Sequence, residues 1–481
     1  MDASKTTIIL GPPGTGKTET LLTIVEKALA NGVEPSKIGF ISFTKKAAEE
    51  GKSRASEKFG IHPDDLVHFR TIHSFAFRHL GQKRDQMFGY YHLRELGHML
   101  GLEFNNRGEM SEDATYGMCD SDRIVFIEGL ARNTRRPLRD VWSDAMEDAV
   151  NWFELERFSK ALAAFKKSRM LRDFNDLIEI FSSSDPKTMP QLDLLLVDES
   201  QDLSALAWTA VEVLAINAKQ IFICGDDDQC IYKWAGADVQ RFISIAGTTR
   251  VLDVSYRIPK SVHALAESIS SRISNRRPKT WRPREEVGQV NWFNSIEEIP
   301  MDEGSWLLMA RHGYQLTAME NHCLSQGYSF NSVGRDPLKS PTLKVIQIWE
   351  NLRKGAEESA ERILDVFKYM ATTHAPAALV KRLKADESSR MYAMPELVQL
   401  GLGTTDLWHR SLTKISTQER DYFIAVRKRG EKLLQSGRCV VSTVHSAKGA
   451  EADNVVLTTD LSLRTYNNME SNFDDECRVF Y

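Results

Sequence analysis

The chain has 481 residues, with 62 lysines and arginines against 66 aspartates and glutamates and a formal net charge of −4. That length supplies several buried cores, and the near balance of charge excludes a chain-wide basic field, so any contact with nucleic acid must come from a local groove. Six cysteines lie far apart with no Cys-x-x-Cys pair, which argues against zinc fingers and a disulfide framework; with no secretory leader and no apolar run of bilayer length, the expectation is a soluble, cytoplasmic protein that engages no membrane.

From the N-terminus, Thr6–Leu10 reads as a buried strand. Gly11-Pro12-Pro13-Gly14-Thr15-Gly16-Lys17-Thr18 follows it with the spacing G-x-x-x-x-G-K-[ST], and a helical pattern follows that. Glycines 11, 14 and 16 let the backbone curl, with Thr15 among them, so that its N–H groups face phosphate oxygens. The helix beginning near Lys17 adds the positive end of its dipole. Lys17 is then placed to reach the β- and γ-phosphates of ATP, and Thr18 to ligate Mg²⁺. A chance glycine turn would lack the strand before and the helix after. Residues 38–44 form the next apolar strand, and from about 80 to 172 the pattern turns helical. That stretch is too long for a loop, so it reads as an inserted helical subdomain. Its basic clusters at 132–136 and 166–172 are either solvated helix faces or contacts to a phosphate backbone.

Residues 192–198 return to a buried strand that ends on Asp198-Glu199. A lone acidic pair is ordinarily surface charge, but this one is delivered to the carboxyl edge of a sheet, where ligands bind in α/β folds. Asp198 would hold Mg²⁺ and Glu199 would orient the attacking water. Strands are expected again at 220–226, 250–254, 289–293, 306–310, 440–444 and 454–458, with a second helix-rich stretch at 341–437. The fold class is therefore α/β, with two parallel-sheet lobes that each carry a helical insertion. The first lobe takes 1–79 and 172–250, with insertion 80–171. The second takes 251–340 and 438–481, with insertion 341–437.

Read together, these segments resemble superfamily 1A helicases of the UvrD/Rep/PcrA type. Phe43-Thr44-Lys45-Lys46-Ala47-Ala48-Glu49 is similar to that family's motif Ia, Thr71-Ile72-His73-Ser74-Phe75 to motif Ib, and Asp173-Phe174-Asn175-Asp176-Leu177 to the short motif before the acidic strand. Asp198-Glu199-Ser200-Gln201-Asp202 resembles motif II, and Gly225-Asp226-Asp227-Asp228-Gln229-Cys230-Ile231-Tyr232 motif III. Ser255-Tyr256-Arg257 resembles motif IV, and Thr443-Val444-His445-Ser446-Ala447-Lys448-Gly449-Ala450-Glu451 motif V. Each is weak alone; the ordered set is specific.

The resemblance implies two RecA-like P-loop lobes and an ATP-dependent 3′→5′ motor on single-stranded DNA and single-/double-strand junctions, acting in repair or replication and open to a protein loading partner. It implies that Gln229 senses the γ-phosphate, that Arg257 places a guanidinium on it, that Tyr256 stacks on adenine and that Glu451 accepts from the ribose. Phe43, Tyr232 and Trp234 would stack on bases, while Thr44, Thr71, His73, Thr443 and His445 bond phosphates and sugars. For each aromatic the alternative is burial in a core.

Three departures stand beside the resemblance. Gly11 follows only ten residues, without the family's upstream glutamine motif that reads adenine. Ala235 follows Trp234 where the family often has arginine. The sequence ends on Asp475-Glu476-Cys477-Arg478-Val479-Phe480-Tyr481, similar to the front of motif VI ahead of its arginine finger. ATP binding is the firm expectation, with fast hydrolysis assigned to a longer protein. A short second insertion suits a compact, phage-encoded relative. Two other readings remain open: a translocase that displaces proteins without unwinding, and an ATP-gated DNA-binding module.

Overall fold

The computed structural model describes residues 1–42, 45–105, 119–146, 150–332, 336–385, 390–433 and 437–481. Two compact units divide the chain, one of residues 1–291 with 463–481 and one of residues 292–462.

In the first unit six strands make one parallel sheet: β1 (Thr6–Leu10), β2 (Ile38–Ser42), β3 (Phe69–Thr71), β4 (Leu192–Val197), β5 (Ala218–Gly225) and β6 (Thr248–Val251). Their order is β3-β2-β4-β5-β1-β6. The inner strands are almost continuously apolar because helices cover both faces of the sheet. Successive side chains point to opposite faces. Ile8, Leu10, Leu195 and Val197 therefore join Trp208 in one core, while Ile9, Leu194 and Leu196 join Leu21, Leu22 and Val25 in another. Parallel strands bring all their carboxyl ends to one edge. There β5 stands between β1 and β4, so the ends of those two strands are about 10 Å apart.

The insertion in this unit has helices Tyr90–Leu100, Asp120–Thr134, Leu138–Met146 and Trp152–Ser168 around a core that includes Ile127, Leu155 and Phe158. Asn151 starts the last of them by accepting from Phe153 N at 2.9 Å, an ordinary side-chain cap. Beyond β6 the first compact unit runs on to residue 291. The cause is local hydrogen bonding. Leu252 N donates to Leu10 O at 2.8 Å, and Ser255 N to Arg282 O at 2.8 Å. Helix Leu463–Phe480 also belongs to this unit, with Asp474 Oδ1 accepting from Ser274 N at 2.9 Å.

The second unit holds β7 (Trp306–Ala310), β8 (Phe330–Ser332), a small antiparallel pair β9 (Glu358–Ser359) and β10 (Met391–Tyr392), β11 (Cys439–Thr443) and β12 (Asn454–Leu457). Its parallel sheet has the order β12-β7-β11-β8. One core runs from Leu308, Phe330 and Val441 into the helical stretch through Trp349, Trp408 and Phe423. Two large aromatics in it find backbone acceptors: Trp349 Nε1 donates to Asp406 O at 2.9 Å and the Tyr422 hydroxyl to Tyr328 O at 3.0 Å.

The strand expected at 289–293 does not form. Residues 284–295 are exposed and pair with no strand among the described residues, so the backbone has no ladder to join. The two short strands β3 and β8 escaped the sequence reading because three residues give no usable periodicity. Among the described residues no helix is long and apolar enough to cross a membrane.

Candidate functional site

β1 runs straight into the loop 11–18. Gly14 and Gly16 take φ of 71° and 77°, a region glycine enters without a steric penalty. Gly11 is demanded by space instead, since a Cβ there would lie 2.1 Å from Lys17 Cγ. Thr15 Oγ1 closes the loop on Pro12 O at 2.8 Å, and Gly11 N donates to Gly225 O at 3.0 Å. Helix Lys17–Ala30 begins with no side-chain cap, and its first-turn N–H groups are those a phosphate would take.

Lys17 Nζ donates to Gly11 O at 2.9 Å and lies 3.8 Å from Glu199 Oε1. Burial works against its charge, but Glu199 and Asp226 outweigh burial and hold its pKa above the ordinary lysine value. At the end of β4, Asp198 Oδ2 accepts from Thr18 Oγ1 at 2.9 Å. Burial, and after it the charge of Glu199, push the Asp198 carboxyl up to about 6. A hydroxyl and a buried carboxylate this close form a hard-oxygen donor pair, and a small divalent cation would relieve the carboxylate of both penalties.

Glu199 itself has φ 50°, uncommon outside glycine. Glu199 Oε2 accepts from Gln201 Nε2 at 2.6 Å. Gln201 is fully buried, and its Oε1 accepts from Asp226 N at 3.1 Å. Asp226 Oδ2 in turn accepts from Gln229 Nε2 at 2.5 Å. One hydrogen-bonded line thus joins Glu199 to Gln229 across the end of β5.

Ser255, Tyr256 and Arg257 dock on the same loop. Ser255 Oγ donates to Pro13 O at 2.7 Å, and Tyr256 N to Gly14 O at 2.9 Å. A Cβ on Gly14 would lie 2.4 Å from Arg257 Cβ, so Gly14 is fixed both by conformation and by this contact. Tyr256 is 76% exposed, which removes the core-packing alternative for its ring. Gln201 and Ser255 had no assigned role from sequence; both lie inside motifs, and the available signal was a polar residue one or two positions from a charged one.

Of the residues expected on DNA, Phe43 and Thr44 lie outside the described residues. Thr71 caps helix Ile72–His79 by accepting from Ser74 N at 3.2 Å. His73 sits edge-on to Phe174 with centroids 5.6 Å apart, and burial holds its pKa below the usual histidine value. Tyr232 is half-buried. Trp234 stacks on Phe126 of the insertion at 6.4 Å and 20°, so one face of its ring is taken. Thr443, His445 and Glu451 belong to the second unit. There Thr443 Oγ1 accepts from Ser446 N at 3.3 Å, His445 is buried and Glu451 is exposed.

Arg132 and Lys166, the first residues of the two basic clusters, are neither on a solvated helix face nor free for a phosphate backbone. Arg132 donates to Asp173 at 2.8 Å, Asp176 at 2.6 Å and Glu179 at 3.0 Å. Lys166 meets the same Asp173 at 2.5 Å and Asp176 at 2.8 Å. These cations are consumed in tying the insertion to helix Phe174–Ser182. Arg136 and Arg169 pair with Asp144 and Glu95.

The family described as UvrD/REP helicase N-terminal domain matches residues 2–249, more than half of the chain. The chain is 26% identical over 330 residues to the ATP-dependent DNA helicase PcrA of Staphylococcus epidermidis, covering 63% of this chain and 42% of that protein. It is 24% identical over 367 residues to PcrA of Staphylococcus aureus strain Mu50, covering 69% of this chain and 48% of that one. The chain therefore matches less than half the length of either relative.

Proposed function

The chain belongs to the UvrD/REP helicase family, and on that footing we propose that it uses ATP with Mg²⁺ to move 3′→5′ along single-stranded DNA and to separate strands at single-/double-strand junctions. The observation that carries this reading is the convergence on one loop of Lys17, Thr18, Asp198 and Glu199, with Ser255-Tyr256-Arg257 docked on the same loop. The N–H groups of the loop and Lys17 hold the phosphates. Thr18 and Asp198 would hold Mg²⁺, which when bound offsets charge on the phosphate oxygens. Glu199 orients the attacking water, and Gln201 fixes which of its oxygens is available. Gln229 senses the γ-phosphate, and Arg257 offers a guanidinium to the charge that grows as the bond breaks. Tyr256 stacks on the adenine, and Glu451 accepts from the ribose. On the DNA side Phe43, Tyr232 and Trp234 stack on bases without regard to sequence, while Thr44, Thr71, His73, Thr443 and His445 bond the backbone.

We read residues 1–79 with 172–250, and 251–340 with 438–481, as the two RecA-like lobes, with 80–171 and 341–437 as their insertions. An intracellular setting with a protein loading partner completes the proposal. Ala235, at a position where a cation would grip DNA or an adjoining surface, favours as a second reading a translocase that displaces proteins without unwinding.

Lys17→Ala should lower DNA-stimulated phosphate release by at least about 100-fold, because it removes the cation aimed at the β- and γ-phosphates. Release at the unsubstituted rate would sink the reading. Strand separation on a tailed duplex distinguishes the helicase from the pure translocase.

A further inference from the structure

Lys279 carries none of the roles assigned above. It lies in the segment that follows helix Lys260–Ser270, and its side chain is fully buried. Its Nζ stands 2.8 Å from Asp226 Oδ1, 2.7 Å from Asp227 Oδ1 and 2.8 Å from Asp228 Oδ2, and all three carboxylates are themselves fully buried. An ammonium offers three donors from one atom, and here each meets a different carboxylate. The surrounding contacts are shared out around it. Arg276 pairs with Asp228, Arg277 N donates to Asp227 Oδ2 at 2.8 Å, and Arg478 Nε donates to Asp227 O at 3.0 Å.

Three consecutive buried carboxylates repel one another and resist burial. Burial, and after it the charge of Asp226, lift the Asp228 carboxyl to about 6. Without the cation at their centre these buried carboxylates would be left uncompensated, which is strongly destabilising. The shape of the turn matters because Asp227–Gln229 carries the γ-phosphate sensor. Asp226 uses Oδ1 for Lys279 and Oδ2 for Gln229, while its N–H reaches Glu199 through Gln201. Whatever fixes the Asp226 carboxylate therefore fixes the Gln229 amide.

We propose that Lys279 is a positioning residue: by clamping Asp226, Asp227 and Asp228 it sets the Gln229 side chain where it can report the γ-phosphate, and so links the nucleotide to DNA affinity. This rests on the function proposed above for Gln229. A positive charge at position 279 is not sufficient for that role, because a guanidinium spreads its donors over a planar fork, as Arg132 does toward its three carboxylates, whereas Asp226, Asp227 and Asp228 converge on a single nitrogen.

The test measures the affinity of the full chain for a fluorescent single-stranded oligonucleotide in the presence of Mg²⁺ with ATPγS and then with ADP. The wild-type protein should show an affinity ratio between the two states of about fivefold or more, in the range of ordinary coupling between sites. Gln229→Ala should bring the ratio close to one. Lys279→Arg should do the same while ATPγS affinity stays within about twofold, with a lowered melting temperature as the three buried carboxylates lose their shared donor. Should Lys279→Arg fail to fold, the charge-balanced pair Lys279→Gln with Asp228→Asn replaces it, with the same expectation. A folded Lys279 variant that keeps the wild-type ratio overturns the inference alone. So does one whose loss of coupling is matched by an equal loss of ATPγS affinity, since that marks a packing role. A wild-type ratio of one sinks the proposed function and this inference together.

Discussion

Gly225 ends β5 and faces the Gln201 amide. A methyl added there would lie 2.4 Å from Gln201 Oε1 and 3.1 Å from Phe242 Cζ, and neither neighbour has room to retreat because both are fully buried. Gly225→Ala should therefore cost about 1–3 kcal/mol of stability, read as a lowered melting temperature. It should also break the hydrogen bond that holds Glu199. An unchanged melting temperature would mean that Gln201 can repack, and the line from Glu199 to Gln229 would then be less rigid than its distances indicate. The same logic of close approach governs Gly11 and Gly14, where the loop has no space for a side chain beside Lys17 and Arg257. Gly11 was readable from the motif spacing and Gly14 only as a further glycine within it, whereas nothing in the sequence around Gly225 names Gln201 as the group it must admit.

Among the elements, helix Asp120–Thr134 carries a dense ion-pair cluster. Arg132 on that helix faces Asp173, Asp176 and Glu179, and Lys166 supports two of the same carboxylates. Arg132→Met leaves those carboxylates short of a partner and should destabilise the first unit by about 2 kcal/mol. Arg136→Met, which removes an exposed pair with Asp144, should stay within about 0.5 kcal/mol. Equal effects in denaturant melts would show that the Arg132 cluster contributes no more than a surface pair.

One turn earlier on that helix, Glu128 has a carboxyl that burial pushes up to about 7, against the pull of Arg132 and Lys166. Between its ordinary value of 4.5 and about 7, the unfolded chain has released this proton and the folded chain still holds it. The folded state thus binds more protons, and stability falls as pH rises across that window. Glu128→Gln should remove the fall, so its advantage over wild type in unfolding free energy, read from denaturant melts, should grow from pH 5 to pH 8 by an amount on the order of 1 kcal/mol. An advantage independent of pH would exclude Glu128 as the titrating group.

For the molecule as a whole, the loop 11–18 and its partners lie in one compact unit with its own cores. A ligand that binds only the folded form raises stability by mass action, by about 2.7 kcal/mol at 100 times its dissociation constant. Calorimetry with Mg²⁺ and ATPγS should show that rise for wild type and none for Lys17→Ala. An equal rise in both would place the nucleotide elsewhere.

The sequence by itself determined the α/β class, the glycine loop, the acidic strand end and the order of the motifs, because all of these rest on local spacing and on strands apolar enough to be buried on both faces. Tertiary structure alone decided the rest. It set β5 between β1 and β4, which lets Gln201 bridge Glu199 and Asp226. It also turned Arg132 and Lys166 inward as ion-pair partners, left 289–293 without a ladder, and brought Lys279 to three carboxylates more than fifty residues away. Charge pairs and strand partners of that kind depend on which segments meet in space, and no local periodicity encodes the meeting.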